Sequence, residues 1–197
     1  MYNIEVEGDH CYRVGEQGLL VHNASAPSGC CVPPKGYAKS LGTSTSTNVS
    51  WFNNGSIVVP VAAEGLITKE SVKKGGAEFD TGPRNPAWWD HLTTAFPDGD
   101  WARGHLIGNA LGGPGGKEWW NMVPLHRRAN NPGMWNCESK IRDAANDGHC
   151  IKLTVTPIYG NRQVIPTFIK IEAVSVNSDW KLGPVNVPNQ LVANSPC

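Results

Sequence analysis

Apolar and polar residues alternate in short runs along most of this chain, and glycine, asparagine or proline separates one run from the next. A period of two predicts strands. In residues 1–23, Ile4 and Val6, then Tyr12 and Val14, alternate with polar neighbours. Turns at Gly8 and Asp9 and between Gly15 and Gly18 make this three short strands, or a hairpin plus one. Residues 24–48, rich in Ser, Thr, Gly and Pro, read as a linker. "VSWFNNGSIVVPV" then predicts two strands joined at 53–56 by Asn-Gly turn chemistry. Residues 64–86 read as loop with short strands, and 86–96 as a short helix with Trp88, Leu92 and Phe96 at helical spacing. Asp98 and Gly99 turn the chain into a strand ending between 105 and 107, and a long glycine-rich loop covers 108–125.

The clearest helix is "NNPGMWNCESKIRDAANDG", with Asn131 as N-cap, Pro132 in the first helical position and Gly148 at the stop. Met134, Cys137, Ile141 and Ala145 form its core stripe, while Asn131, Trp135, Glu138 and Arg142 share another side. "CIKLTVTPIYG" and "QVIPTFIKIEAVSV" follow as two strands around Gly160 and Asn161, and the tail from Asp179 reads as irregular. No internal repeat is visible.

Composition narrows the class. The 197 residues suffice for one domain with a real core, and 22 glycines and 15 prolines favour a strand-rich, turn-rich fold. No stretch approaches the ~18 consecutive apolar residues of a membrane span. Lys plus Arg and Asp plus Glu are 17 each, so the net charge is zero and any nucleic-acid contact must rest on a local patch. Lys117, Arg127, Arg128, Lys140 and Arg142 are the candidates. The six cysteines form no C-x-x-C pair, and Cys137 and Cys150 read as buried small hydrophobes in preference to a disulfide. Residues 1–22 lack the basic start and apolar run of a signal peptide, so export would be directed from another part of a larger precursor.

The order strand, His105, loop, then a helix carrying Asn and Glu suits phosphodiester cleavage. That reaction needs a base to deprotonate water, and positive charge on the developing phosphorane and the leaving oxygen. His105 at a strand end offers the base. Asn131, Asn130 and Glu138 offer oxygens for one hard cation that keeps most of its waters, and Arg103 can meet a phosphate. Against this, Asn131 is equally a plain helix cap, and a cation at a helix N-terminus opposes the dipole.

"RGHLIGNALGG", "WWNMVPLHRRANNPGMWNCESKIRDA" and "IKLTVTPIYG" together resemble the DNA/RNA non-specific endonucleases, a ββα-metal (His-Me finger) family, over roughly residues 50–176. The resemblance implies an α+β fold: a ββα-metal nuclease core on a mostly antiparallel sheet, here with a short β N-terminal appendage. It implies His105 as general base, Asn131 (or Asn130, or Asn136) as the metal-binding asparagine, Glu138 as a supporting acid and Arg103 at the phosphate. Asn121 matches the Asn of an Asn-x-x-Pro segment that pins the loop. Magnesium, or another divalent cation such as manganese, is the implied cofactor. DNA is the implied substrate, with RNA as the alternative, cut without sequence preference. Arg127, Arg128, Lys140 and Arg142 would hold backbone phosphates. Where the family carries Asp before Arg-Gly-His this chain has Ala102, with Asp100 two residues earlier.

"YNIEVEGDHCYRVGEQGLLVHNA" resembles the C-terminal end of the Hint (intein-like) domains of bacterial polymorphic toxins. That resemblance implies cyclisation of Asn23 and cleavage before Ala24, assisted by His22 and His10. The expected organisation is thus a Hint fragment at 1–23, a linker at 24–48 and an endonuclease domain at 49–197. The whole would be a secreted or delivered toxin effector acting in the target-cell cytoplasm, restrained in its producer by a cognate immunity protein. Autocleavage as the main activity, or an inactive nuclease fold used for binding, are the competing readings.

Overall fold

The computed structural model describes residues 11–14, 19–22, 38–46, 57–76, 86, 88–115, 119–160, 164–190 and 196–197. Its spine is an antiparallel five-stranded sheet. β3 (Ala38–Ser40), β6 (Ala63–Ile67), β9 (Ile151–Tyr159), β10 (Pro166–Ser175) and β11 (Lys181–Pro188) lie in the order β11-β10-β9-β6-β3. Three two-stranded ladders accompany it. They are β1 (Cys11–Val14) with β2 (Leu19–His22), β4 (Thr43–Ser46) with β5 (Ile57–Pro60), and β7 (Trp101–His105) with β8 (Met122–His126). Among the described residues the α-helices are α1 (Lys69–Lys74), α2 (Trp89–Ala95) and α3 (Trp135–Asn146). The fold is α+β with a mostly antiparallel sheet, as expected.

Alternation builds the sheet. Ile151, Leu153 and Val155 of β9, and Ile169, Ile171 and Ala173 of β10, all point to one face and are buried. Against them α3 lays the stripe read from its sequence: Met134, Cys137, Ile141 and Ala145 are each at most 2% exposed. A second cluster, with Ile57, Val59, Trp88, Leu92, Trp101 and Met122, sits under the β7–β8 ladder. Asn189 ties that ladder to the large sheet. Its side chain accepts from the His126 N–H (2.7 Å) and donates to the carbonyls of Pro124 (3.1 Å) and Pro166 (2.8 Å).

Several elements depart from the sequence reading. Residues 38–46, inside the expected linker, are the strands β3 and β4, because Ser and Thr pair along a sheet edge as readily as they fill a linker. The partner of β5 is β4; the strand expected at 49–52 and its turn lie outside the described residues. α1 replaces expected loop. Thr68 and Ser71 cap it reciprocally (3.2 and 3.0 Å), but it buries no residue and so leaves no apolar stripe to read. β8 falls partly within the expected loop 108–125, its Pro124 tolerated opposite Arg103 in a two-stranded ladder. The "irregular" tail is β11, an edge strand with only Val187 fully buried. Cys137 is buried but disulfide-bonded to Cys197, and Cys150 is also disulfide-bonded, so the plain-hydrophobe reading of both is corrected.

Candidate active site

The β7–β8 hairpin carries His105 at its end, paired in register with Met122. The next residues are clamped by Asn121, which is fully buried. Its backbone carbonyl accepts from Leu106 (2.8 Å), its side-chain oxygen accepts from Ile107 (3.0 Å), and its amide donates to the carbonyls of Ile107 (3.0 Å) and Pro114 (2.8 Å). Asn121 thus pins the loop. The glycine-rich stretch is not slack either: Gly113 donates to the Gly108 carbonyl (3.1 Å), and a Cβ on Gly113 would lie 1.9 Å from the carbonyl oxygen of Ile107.

That loop delivers its turn to α3. A Cβ on Gly108 would stand 2.5 and 2.6 Å from the two carboxylate oxygens of Glu138, so glycine is what lets the carboxylate reach the backbone there. The Gly108 backbone makes a hydrogen bond to that carboxylate. Gly108 is only the third residue after His105. The structure therefore brings Glu138 to the turn that follows His105, across 33 residues of sequence.

Burial acts on the two groups in opposite directions. It lowers the His105 pKa from its ordinary 6.5, since the imidazolium loses solvation, and the Arg103 guanidinium lowers it further. Desolvation raises Glu138 to about 7, outweighing the hydrogen bond from Gly108. At neutral pH the histidine therefore favours its neutral imidazole form, and the carboxyl holds its proton well above the ordinary carboxylate range.

The other expected residues are placed less uniformly. Asn131 does not cap α3. Its backbone is extended (φ −141°, ψ 115°), so the chain breaks between a helical turn at 127–130 and α3. The helical phase that put Asn131 beside Glu138 is therefore interrupted, whereas Trp135, Glu138 and Arg142 do share one side of continuous helix. Asn131 is exposed and Asn130 half-buried in the turn before the break.

Asp100 does not stand in for the acid missing at Ala102. It lies at the opposite end of β7, about 16 Å of extended chain from His105, with its carboxylate on Arg127 Nε at 2.9 Å. Arg127 is thereby also at the far end of the hairpin, next to exposed Arg128. Lys140 sits on another side of α3 from Glu138 and donates to the Cys197 carbonyl. His10 and Asn23 lie outside the described residues; His22 pairs with Cys11 at the end of the β1–β2 ladder.

Sequence reasoning did not single out Gly108, Asn189 or Trp89 for roles here, and it placed Trp135 on the Glu138 side of the helix without giving it one. Trp89 and Trp135 each lie under an arginine guanidinium, Arg103 at 5.3 Å and Arg142 at 5.1 Å from the ring centroid. For Gly108 the available signal was its position, three residues past a histidine inside a glycine-rich loop.

Residues 78–177 match a family model described as DNA/RNA non-specific endonuclease. Among solved structures, NucA from Streptococcus agalactiae with magnesium ion bound aligns at a TM-score of 0.55 and 20% identity, over 82% of this chain and 76% of that one. The Sda1 nuclease with bound zinc ion aligns at 0.50 and 17% identity, over 76% and 84%. At these identities the likeness is one of fold. No curated protein sequence matches the chain.

Proposed function

Because the chain belongs to the DNA/RNA non-specific endonuclease family, we propose that it hydrolyses phosphodiesters in DNA, with RNA as the second candidate substrate, using His105 as general base and a divalent cation at Asn130–Asn131 and Glu138. The observation that carries this reading is the meeting of Glu138 with the turn after His105. His105 takes a proton from water at a ring nitrogen. The water oxygen bonds to phosphorus as the bond to the 3′ oxygen breaks, and Arg103 meets the phosphate charge.

The residues present fit a cation of one kind. Among the described residues no three His, Cys, Asp or Glu side chains converge, so a closed all-protein cage is not what they offer. They offer amide oxygens and one desolvated carboxylate, for which the Gly108 hydrogen bond only partly offsets the loss of solvent. That donor set suits a hard, largely hydrated ion such as magnesium or manganese. When bound, such an ion supplies positive charge to the phosphorane and the leaving oxygen. Arg142 shares the Glu138 side of α3 and is the best placed of the four basic residues for a phosphate; Arg127, Arg128 and Lys140 would serve strand farther away.

The family resemblances support a wider setting: a toxin effector released from a larger precursor, delivered to target cells and restrained by an immunity protein. The disulfides at Cys137 and Cys150 favour a route through an oxidising compartment. Residues 1–23 would be the end of a Hint domain, with Asn23 the point of cleavage and His22 and His10 assisting. Mass spectrometry of the purified chain checks that part: a fragment beginning at Ala24 is expected if it cleaves. Plasmid degradation with magnesium and with EDTA, by wild type and His105→Ala, tests the nuclease. Cleavage should require metal and His105. Metal-independent cleavage or an active His105→Ala protein overturns the mechanism, and no cleavage of DNA or RNA with any divalent cation favours a binding module.

A further inference from the structure

Two arginines beside this chemistry are laid over tryptophan rings. Arg103, two residues before His105, has Cζ 5.3 Å from the Trp89 centroid. Arg142, four residues after Glu138, has Cζ 5.1 Å from the Trp135 centroid. Trp89 opens α2 and is braced edge-on by buried Trp88 (5.9 Å, 62°). Trp135 opens α3 on the side it shares with Glu138 and Arg142, and is 41% exposed.

A guanidinium stacked on an indole keeps its plane and loses little further side-chain freedom when its N–H fork meets a phosphate. Pre-orientation matters more in this chain than in a basic one, because zero net charge supplies no general attraction for a polyanion. Arg142 is also steered by Asp143, whose carboxylate is 3.6 Å from Nε. At that length and exposure the pair is weak, which leaves the indole as the main support of the guanidinium.

Resting on the nuclease reading above, we propose that Trp89 and Trp135 are positioning residues that hold Arg103 and Arg142 for the phosphates of the nucleic-acid strand. They act through the arginines and need no base to stack on.

The test is a double-mutant cycle on the full chain carrying His105→Ala. Binding of a fluorescein-labelled single-stranded 12-mer is read by anisotropy over a salt series in EDTA. Arg142→Ala should lower the salt slope by about 0.7. Trp135→Leu should weaken binding ~2- to 5-fold, and Arg142→Ala should cost less in that background than alone. Trp135→Phe should recover most of the loss. The ring is exposed, so melting should hardly move. The same cycle with Arg103 uses Trp89→Phe beside Trp89→Leu, in case the leucine variant folds poorly.

Effects that simply multiply, with no coupling between tryptophan and arginine, overturn the proposal. So does a Trp135→Leu loss that vanishes on an abasic 12-mer, because the ring would then be stacking on bases. The nuclease reading fails separately, if wild type cleaves nothing or His105→Ala cleaves normally.

Discussion

His105 lies just before the turn that Glu138 reaches from α3, and loss of solvent favours the neutral form of each. For a histidine this means a base that stays unprotonated below its ordinary 6.5, so the acid limb of kcat/KM should fall below that pH. Replacing Arg103 with Ala removes the cationic neighbour, and the limb should move upward even where the rate itself drops. A pH–rate profile of the two proteins reads this directly; an unchanged limb would mean another group is the base. His105→Ala should lower kcat on the order of 10²- to 10⁴-fold. For Glu138 the sign reverses. Its pKa is raised to about 7, so between the ordinary carboxylate range and 7 the native state holds a proton that the unfolded chain has lost. Stability from this group is full at low pH and declines as pH rises through that window. In EDTA, Glu138→Gln should therefore melt higher than wild type at pH 8 and alike at pH 4. Magnesium should raise the wild-type melting temperature more at pH 8 than at pH 6, since protons and cation compete for one carboxylate. A magnesium shift independent of pH, or retained in Glu138→Gln, would take Glu138 out of the cation's surroundings.

At the scale of elements, the loop from 106 to 115 is a rigid spacer between β7 and α3. Two glycines in it make opposite predictions. Gly108 has ordinary extended angles (φ −66°, ψ 154°), and the atoms a methyl would strike belong to the end of the flexible Glu138 side chain. Gly108→Ala should thus leave melting nearly unchanged while displacing the carboxylate and lowering activity ~10-fold or more, as a misplaced catalytic group does. A methyl on Gly113 strikes the Ile107 carbonyl, which Asn121 already holds, so Gly113→Ala should melt several degrees lower. Calorimetry beside the plasmid assay separates the two. The same region shows what a sequence discloses. The core stripe of α3, the strands β9 and β10 and the strand ending at His105 were legible because period and burial coincide there. The break at Asn131 was not: Asn before Pro is also good N-cap chemistry, and only the tertiary fold reveals an extended residue in its place. α1 and β11 were hidden for lack of a buried stripe. Gly108 was visible but unassigned, because its partner lies 30 residues on.

For the molecule as a whole, the helix that carries Glu138 is tied to Cys197. Cys137, one residue before Glu138, is bonded to Cys197, and Lys140 donates to the carbonyl of the same Cys197. The bond closes a separation of 60 residues, which encloses the whole β9–β10–β11 meander. Loop closure of that length constrains the unfolded chain by about 4 kcal/mol. For a domain of this size each kcal/mol corresponds to ~2–4 °C of melting temperature. Cys137→Ala/Cys197→Ala should then melt on the order of 10 °C lower. The position of Glu138 should nonetheless survive below the melt. The face of α3 is fixed independently by Met134, Ile141, Ala144 and Ala145, all at most 4% exposed, and the carboxylate is seated against Gly108 rather than against the disulfide. Activity at 25 °C should stay within ~3-fold of wild type, since the catalytic geometry is kept, and should be lost at a lower temperature. Differential scanning calorimetry paired with initial rates checks both halves. An unchanged melting temperature would refute the loop-closure account, and a large loss of rate at 25 °C would show that the bond, and not the core packing, sets the helix beside His105.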